Sequence, residues 1–361
     1  MIGTHGRGIW IMEDITPLEQ MSDAVLASNV HLFPAHSAVS YNPWTPQGWT
    51  PGIFSVPNPP QGVRIRYWLG QELEGEAPLV TEEAEDAGSG PNVNGPNANG
   101  SNARARPAGS RPSANGGKAH IAIVDGAGEI VRELDGEGTV GLHEVVWDLR
   151  VEPAYEQEPG QGGFGGGGGF FRGGGPQGPR VLPGMYTVRL EAGGESLETT
   201  AEVRLDPRVE ISRGDLMARQ EAMMRAYALA GPVNDASQTV GRIREQLGKI
   251  RAQIKGREDV PEALKDEVKA IGEELDEIND DVGDARRGAG ARGTIERYHS
   301  APTADALYQI EAGWDALPGA IERLNDLITD RMPALFDMLS EAALRPDLGE
   351  PIALPVPPSG R

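Results

Sequence analysis

The sequence predicts a multi-domain chain of α and β structure, in which a small antiparallel β-sandwich precedes an antiparallel helical hairpin or three-helix segment. Three observations predict this order. Short segments within 61–207 alternate apolar and polar residues, as half-buried strands do. Beyond residue 208, apolar residues recur at steps of four and three, as in packed helices. Stretches rich in glycine and proline interrupt both patterns, and a length of 361 residues favours two or three domains.

Composition restricts the class of function. The 33 Lys and Arg against 54 Asp and Glu give a net charge of −21, which argues against nucleic-acid binding because no broad basic face is available to neutralise phosphates. The chain has no cysteine, which excludes disulfides, thiol catalysis and Cys-ligated zinc. No apolar run approaches the roughly 20 residues of a membrane span. The opening MIGTHGRGIW lacks the charged and apolar regions of a signal peptide.

The first 60 residues are predicted to form one strand followed by a long connector. Residues 9–12 form an apolar run in 1–16, and such a strand needs a sheet to join because both of its edges are otherwise unpaired. Eight prolines in 17–60 argue against a regular helix or a central strand over most of this connector. Its aromatic residues indicate that it lies along a neighbouring surface.

The segment 61–207 is predicted to form the sandwich. Six stretches show strand patterns, namely 62–70, 119–124, 129–134, 142–149, 185–191 and 197–205. Two inserts interrupt them, at 71–117 and 155–180, and their polar, glycine-rich composition predicts disorder.

The segment 208–342 predicts helices. Ser212 followed by Asp215 is typical of an N-terminal cap, and Gly231-Pro232 should kink or break the helix that begins there. Two apolar seams of about 20 residues each then follow, at Ala236, Val240, Ile243, Leu247, Ile250 and Ile254, and at Leu264, Val268, Ile271, Leu275, Ile278 and Val282.

Four further expectations concern the boundaries of these helices. Asp259 and Glu262 predict a capping pair before the second seam. Residues 283–302 predict a loop rich in glycine, arginine and alanine. Thr303 is expected to cap a last helix, with a kink or a restart near Pro318. The tail 343–361 is rich in proline and is expected to be extended.

The start of the chain resembles a known family. THGRGIWIMEDITPLEQ followed by VHLFPAHSAVSY is similar to the end of the propeller in bacterial BNR-repeat, sortilin-like (VPS10-type) proteins, which are often labelled glycosyl hydrolases. NPPQGVRIRYWL, IVDGAGEIVRELDGEGTVGLHEVVWDLR and LPGMYTVRLEAGG resemble the strands that follow the propeller in that family. The resemblance implies a terminal propeller strand in 1–16, an Ig/FnIII-like sandwich, a helical segment, and export to the periplasm or beyond.

The propeller of that family is missing from this sequence. The Ser-x-Asp-x-Gly-x-x-Trp box does not occur, and no segment repeats every 40–50 residues. We therefore interpret the chain as the C-terminal part of a longer precursor, whose upstream propeller is its first partner. On this interpretation the strand at 9–12 is an orphan β-propeller strand.

His5 and Arg7, in the THGRG turn, are the candidate ligand-binding residues. Arg7 could face a propeller channel and bind an anion, with His5 beside it. In the alternative, both side chains hydrogen-bond neighbouring blades while the glycines of the turn supply backbone freedom. No catalytic residue, metal site or cofactor is predicted in the chain.

Three other motifs have a structural and a functional interpretation. Asp125 and Glu129 flank two glycines, which favours a hairpin turn over a calcium loop. Trp147 is expected in the core rather than as a sugar platform beside Asp148. The acidic run within 273–284 is expected to form a solvated helix face rather than a metal or glycosidase site.

These observations favour a non-catalytic accessory region that braces a propeller and offers a surface to a protein or glycan. The alternative is a part of a glycoside hydrolase whose catalytic acids lie on the missing propeller. A third hypothesis is a helical adaptor that works through its long hairpin.

Overall fold

The computed structural model describes residues 2–3, 9–10, 14–42, 61–75, 117–155 and 177–342. The chain has a mixed α and β fold that divides into two compact units. The sheet unit comprises Met1–Glu152 and Arg180–Val209, and the helical unit comprises Pro153–Pro179 and Glu210–Arg361. Among the described residues, no helix combines the length and the hydropathy that a membrane crossing requires.

The N-terminal strand has a partner within the chain. Strand β2, Ile9–Trp10, pairs antiparallel with β1, Ile2–Gly3. The sequence predicts that this strand joins a sheet but does not indicate β1 as its partner, so the strand interpreted as an orphan has one neighbour within the chain. Residues 11–13 of the predicted strand lie outside the described part of the chain.

Eight further strands and two short helices are present in the described part of the sheet unit. The helices are α1, Thr16–Gln20, and α2, Asp23–Leu26. The strands are β3, Val30–Leu32; β4, Ala38–Ser40; β5, Val63–Leu69; β6, Lys118–Val124; β7, Ile130–Glu137; β8, Gly141–Trp147; β9, Gly184–Ala192; and β10, Glu195–Leu205. One sheet has the order β4-β10-β9-β6-β7 and the other β3-β5-β8, and every pairing is antiparallel except that of β4 with β10.

Both sheets contribute to one apolar core. Alternate residues of β5 are buried, and they meet the buried residues of β9 and β6 in a single cluster. Trp147 and Tyr67 are among the largest side chains in it, and both are inaccessible to solvent. Each of the six strand patterns in the sequence corresponds to an observed strand, because period-two burial holds along both sheets.

The connector contains more regular structure than the sequence predicts. It contributes most of α1 as well as α2, β3 and β4, and the two strands take edge positions in the two sheets. Proline removes a backbone donor only at its own position, and Pro34 lies between the two strands rather than within either. Residues 43–60 of the connector lie outside the described residues.

The two predicted inserts are described only at their ends. Leu73 belongs to the core, and its backbone donates to Gly138 O and accepts from Gly117 N. The first insert therefore begins later than residue 71. Residues 76–116 and 156–176 lie outside the residues that the structure describes.

Among its described residues, the helical unit contains three long helices followed by a short one. They are α3, Arg213–Ile254; α4, Glu262–Arg297; α5, Ala304–Asp326; and α6, Met332–Glu341, with a π-helical turn, Leu327–Arg331, before α6. Ser212 caps α3 by accepting a bond from Asp215 N at 3.0 Å, and Thr303 caps α5 by accepting one from Ala306 N at 3.2 Å. Both caps confirm the sequence prediction.

The two predicted seams form the core between α3 and α4. All their members are buried except Ile254, which is partly buried. Arg219, near the start of α3, donates to Glu296 O near the end of α4, whereas Arg251, near the end of α3, lies against Val268 near the start of α4. The two helices therefore run in opposite directions.

Of the two outcomes predicted for Gly231-Pro232, a kink or a break, the break does not occur. Helix α3 continues through Pro232, with Leu229 and Val233 buried on either side of it. One lost backbone hydrogen bond is outweighed, because the continuous helix buries apolar residues on both sides of the proline. Pro318 likewise lies inside α5 without ending it.

The predicted capping pair before α4 is absent. Pro261 precedes the first helical residue and makes no capping bond, while Asp259 pairs with Arg257 at 2.6 Å. Asp259 therefore forms an ion pair with Arg257 instead of capping the start of α4.

The prediction of a loop over 283–302 is wrong for most of that range. Helix α4 continues to Arg297, and its small residues form a close crossing with α5. A Cβ on Gly288 would lie 2.7 Å from Gln309 O and 3.4 Å from Gly313 Cα. Glycine, usually a helix-weakening residue, is used here because the helix axes approach too closely for any side chain.

Candidate functional site

The ligand residues that the sequence predicts, His5 and Arg7, lie outside the described residues. A concentrated polar group of the described sheet unit lies shortly after β2. It consists of Asp14, Thr16, His36, Arg66 and Glu144, which we call the Arg66 cluster.

Arg66 is the centre of this cluster. It lies on β5 directly opposite Glu144 of β8, and its Nε donates to Glu144 Oε2 at 2.7 Å. Its Nη1 also contacts the carboxylate of Asp14. Since its side chain is only 11% exposed, the two carboxylates supply the charge compensation that a buried guanidinium needs.

Asp14 is held by several donors at the start of α1. Its Oδ1 accepts from Thr16 N at 2.9 Å, and its Oδ2 lies 3.3 Å from His36 Nε2. The hydrogen bond from the Thr16 side chain, with those from Thr16 N and Arg66, holds the pKa of the Asp14 carboxyl well below its usual range, although burial acts in the opposite direction. Asp14 is therefore ionised at neutral pH.

Thr16, His36 and Asp14 include the residue types of a nucleophile, a base and an orienting acid. Their geometry does not fit that chemistry. His36 Nε2 lies 3.2 Å from Thr16 Oγ1 and also 3.3 Å from Asp14 Oδ2, so one ring nitrogen meets both partners. A catalytic histidine uses one nitrogen for the nucleophile and the other for the acid. The His36 side chain is also 60% exposed.

The two carboxylates do not fit an acid–base pair either. Glycoside hydrolysis needs one carboxyl that is protonated before it donates. Asp14 and Glu144 share one guanidinium, and the depressed pKa of Asp14 makes it unsuitable as a proton donor. The ion pairs of the Arg66 cluster can hold Asp14, β5 and β8 together. They can also fix the position of side chains that line an adjoining cavity.

That cavity has a volume of about 270 Å³ and is lined by Leu18, Arg64 and His143 beside the cluster. The ring of His143 is fixed, since its Nε2 lies 2.5 Å from Thr139 O and it stacks against Tyr67 with 5.2 Å between ring centroids. Burial raises the pKa of the Tyr67 hydroxyl, which donates to Glu137 O at 2.7 Å. These groups serve as walls rather than as reactive centres.

The other motifs have the structural roles that the sequence favours. Asp125 Oδ1 accepts from Ala127 N at 2.8 Å and Glu129 N at 3.0 Å, which confirms a hairpin turn. Trp147 is inaccessible to solvent and its Nε1 donates to Arg150 O at 2.9 Å, which confirms its place in the core.

Several residues of the acidic run form ion pairs with arginines, in addition to their contact with solvent. Arg323 contacts Asp281 and Arg331 contacts Glu274, while Arg244 donates to Asp276 at 2.9 Å. These arginines come from other helices, so the run helps to hold the helices together. Among the described residues, no three potential metal ligands are grouped.

Sequence reasoning missed the Arg66 cluster. Alternation in β5 places Arg64 and Arg66 on the face away from the core, and it places Glu144 likewise on β8. Nothing in the pattern connects them with Asp14, because that contact depends on where α1 lies in the fold.

Comparison with protein-family models, with curated proteins and with solved structures found no match to this chain in any of the three.

The ionisation of Asp14 predicts a pH-dependent effect of the Asp14→Asn variant. Because its pKa is depressed in the folded protein, the carboxylate stabilises the fold above its ordinary pKa of about 4, and this contribution is lost as the pH falls through the depressed value. We expect Asp14→Asn to lower the free energy of unfolding by roughly 1–3 kcal/mol at pH 7 and by less at pH 2. Urea unfolding at the two pH values measures this, and an equal deficit at both would contradict it.

Proposed function

We propose that the chain is a non-catalytic accessory region of an exported BNR-repeat, glycosyl-hydrolase-like protein, and that it braces a β-propeller. On this proposal the two sheets are an Ig/FnIII-like sandwich, α3 and α4 are a helical hairpin, and β2 is the strand that leaves the last blade. The observation that carries the proposal is the fixation of Asp14, shortly after β2, by Arg66 on β5.

The Arg66 cluster supports a brace in physical terms. A strand that passes from one domain to the next transmits a fixed orientation only if its exit is tied to the second domain. The bonds to Asp14 from Thr16 and Arg66 tie that exit. A largely buried charge pair is less sensitive to salt than a surface pair, so the tie persists at physiological ionic strength.

The experiment starts from the genomic reading frame upstream of Met1, which we expect to encode Asp-box repeats. The joined protein is then produced with the natural sequence and with Arg66→Gln. Amide hydrogen exchange of β2 is expected to be slow in the natural sequence and roughly tenfold or more faster in Arg66→Gln, because the tie is worth one charged hydrogen bond or more.

Arg204→Gln is the matched control. Arg204 is also a strand arginine bound to a carboxylate, with its Nε donating to Glu202 at 2.7 Å, but it lies on β10. Its loss is expected to leave β2 unchanged. Equal acceleration in both variants would contradict the brace, and a stop codon immediately before Met1 would overturn the propeller itself.

The joined protein also separates the brace from the hydrolase alternative. We expect it to leave aryl glycosides unhydrolysed. Turnover that depends on acids of the propeller would instead establish the glycoside hydrolase, with this chain as its support.

A further inference from the structure

The helical unit contains a cavity of about 330 Å³ on α3 and α4, whose lining includes Tyr227, Asn234, Ser237, Arg286 and Arg292. This volume is at the lower end of the range of small-molecule sites. The cavity lies in a different unit from the Arg66 cluster and does not depend on the function proposed above.

Arg286 supplies positive charge at the cavity. Its Nη2 donates to Ser237 Oγ at 2.7 Å, and that hydroxyl donates in turn to Val233 O at 2.6 Å. These bonds orient the guanidinium without neutralising it. Within the described part of the chain, no carboxylate lies at ion-pair distance from Arg286.

Neighbouring arginines differ in this respect. Arg287, the next residue, contacts Asp284. Arg292, the second guanidinium at the cavity, donates to Glu296 Oε2 at 2.9 Å, so much of its charge is balanced within the protein. The cavity consequently has about one positive charge to offer a ligand.

The other residues that line the cavity indicate which chemical groups a ligand would need besides a negative charge. Asn234, one turn before Ser237 on α3, also lines the cavity, and its side-chain amide can donate a hydrogen bond to an anionic head group. Tyr155 and Tyr227 bring aromatic rings, and Ala289 adds an apolar wall. A body of one planar ring suits this volume and these surfaces.

We propose that this cavity binds a small aromatic monocarboxylate, with the carboxylate on the Arg286 guanidinium and the ring between the tyrosines and α4. A monoanion is favoured over a phosphate dianion because the second guanidinium is already paired with Glu296. Guanidinium and carboxylate are also geometrically matched for two parallel hydrogen bonds.

The test titrates the full chain with benzoate at pH 7 and 0.15 M salt, followed by calorimetry or by amide chemical shifts. Benzoate is expected to bind with a dissociation constant on the order of 1 mM or tighter. Benzamide, which has the same shape without the charge, is expected to bind at least about tenfold more weakly. Phenyl phosphate, the dianion, is expected to bind more weakly than benzoate.

Two variants locate the binding. Arg286→Gln is expected to weaken benzoate binding by at least about tenfold, whereas Arg287→Gln changes it by less than about twofold. Gln has nearly the helix propensity of Arg, and unchanged thermal unfolding verifies that both variants fold.

Four results would overturn the proposal. They are no saturable binding of benzoate to the folded chain, equal binding of benzamide, tighter binding of phenyl phosphate, and an equal loss in Arg287→Gln, which would show a general charge effect.

Discussion

Trp147→Ala is expected to destabilise the sheet unit by about 3–5 kcal/mol, the range for a large aromatic residue removed from a core. Trp147 is inaccessible to solvent, and its ring meets Tyr186 edge to face at 5.1 Å between centroids. Its removal leaves a cavity in the core and removes the indole hydrogen bond to Arg150 O. Urea unfolding, with hydrogen exchange of β5 and β9, measures the loss.

Trp147→Phe is the matched control. It keeps an aromatic ring in the core and removes only the indole donor and part of the volume. We expect a cost of about 1–2 kcal/mol. A cost below about 1 kcal/mol for Trp147→Ala would show that the core collapses around the site, against the packing described here.

Gly288→Ala is expected to lower the stability of the helical unit by about 1–3 kcal/mol, as overpacking does. The added Cβ would lie 2.7 Å from Gln309 O, a backbone atom that can move only if α5 moves. An alanine normally stabilises a helix relative to glycine by about 1 kcal/mol, so the sign of the effect separates close packing from propensity.

Gly293→Ala provides the opposite expectation on the same helix. A Cβ at Gly293 meets nothing within 4 Å, so the variant should be more stable than the natural sequence by about 1 kcal/mol. Thermal unfolding at 222 nm compares the two variants. Stabilisation by both would contradict the close crossing of α4 and α5.

Local sequence patterns predicted the parts of the fold that depend on residues close together in sequence. The strands and the α3 and α4 seams follow from the spacing of the apolar residues on one buried face. The caps at Ser212 and Thr303 each follow from one hydrogen bond at the start of a helix. Local rules failed at Pro232 and over 283–302. In both places a residue that weakens an isolated helix is tolerated or required by the packing of a partner helix.

The candidate site was predicted less well than the fold. The turn at Asp125 and the core position of Trp147 follow from local pattern, and both were predicted. The contact of Asp14 with Arg66 joins two segments that are distant in sequence, and no spacing rule indicates it. The same holds for Arg286 and Ser237, which meet only because α3 and α4 run in opposite directions.

The parallel pairing of β4 with β10 has a consequence for the order of assembly. Ala38–Ser40 is synthesised long before Glu195–Leu205, which is its one strand neighbour among the described residues. During translation the earlier strand therefore cannot pair with β10 until nearly the whole sheet unit has left the ribosome. Pairing of such high contact order is slow, which places closure of this edge among the last steps of folding.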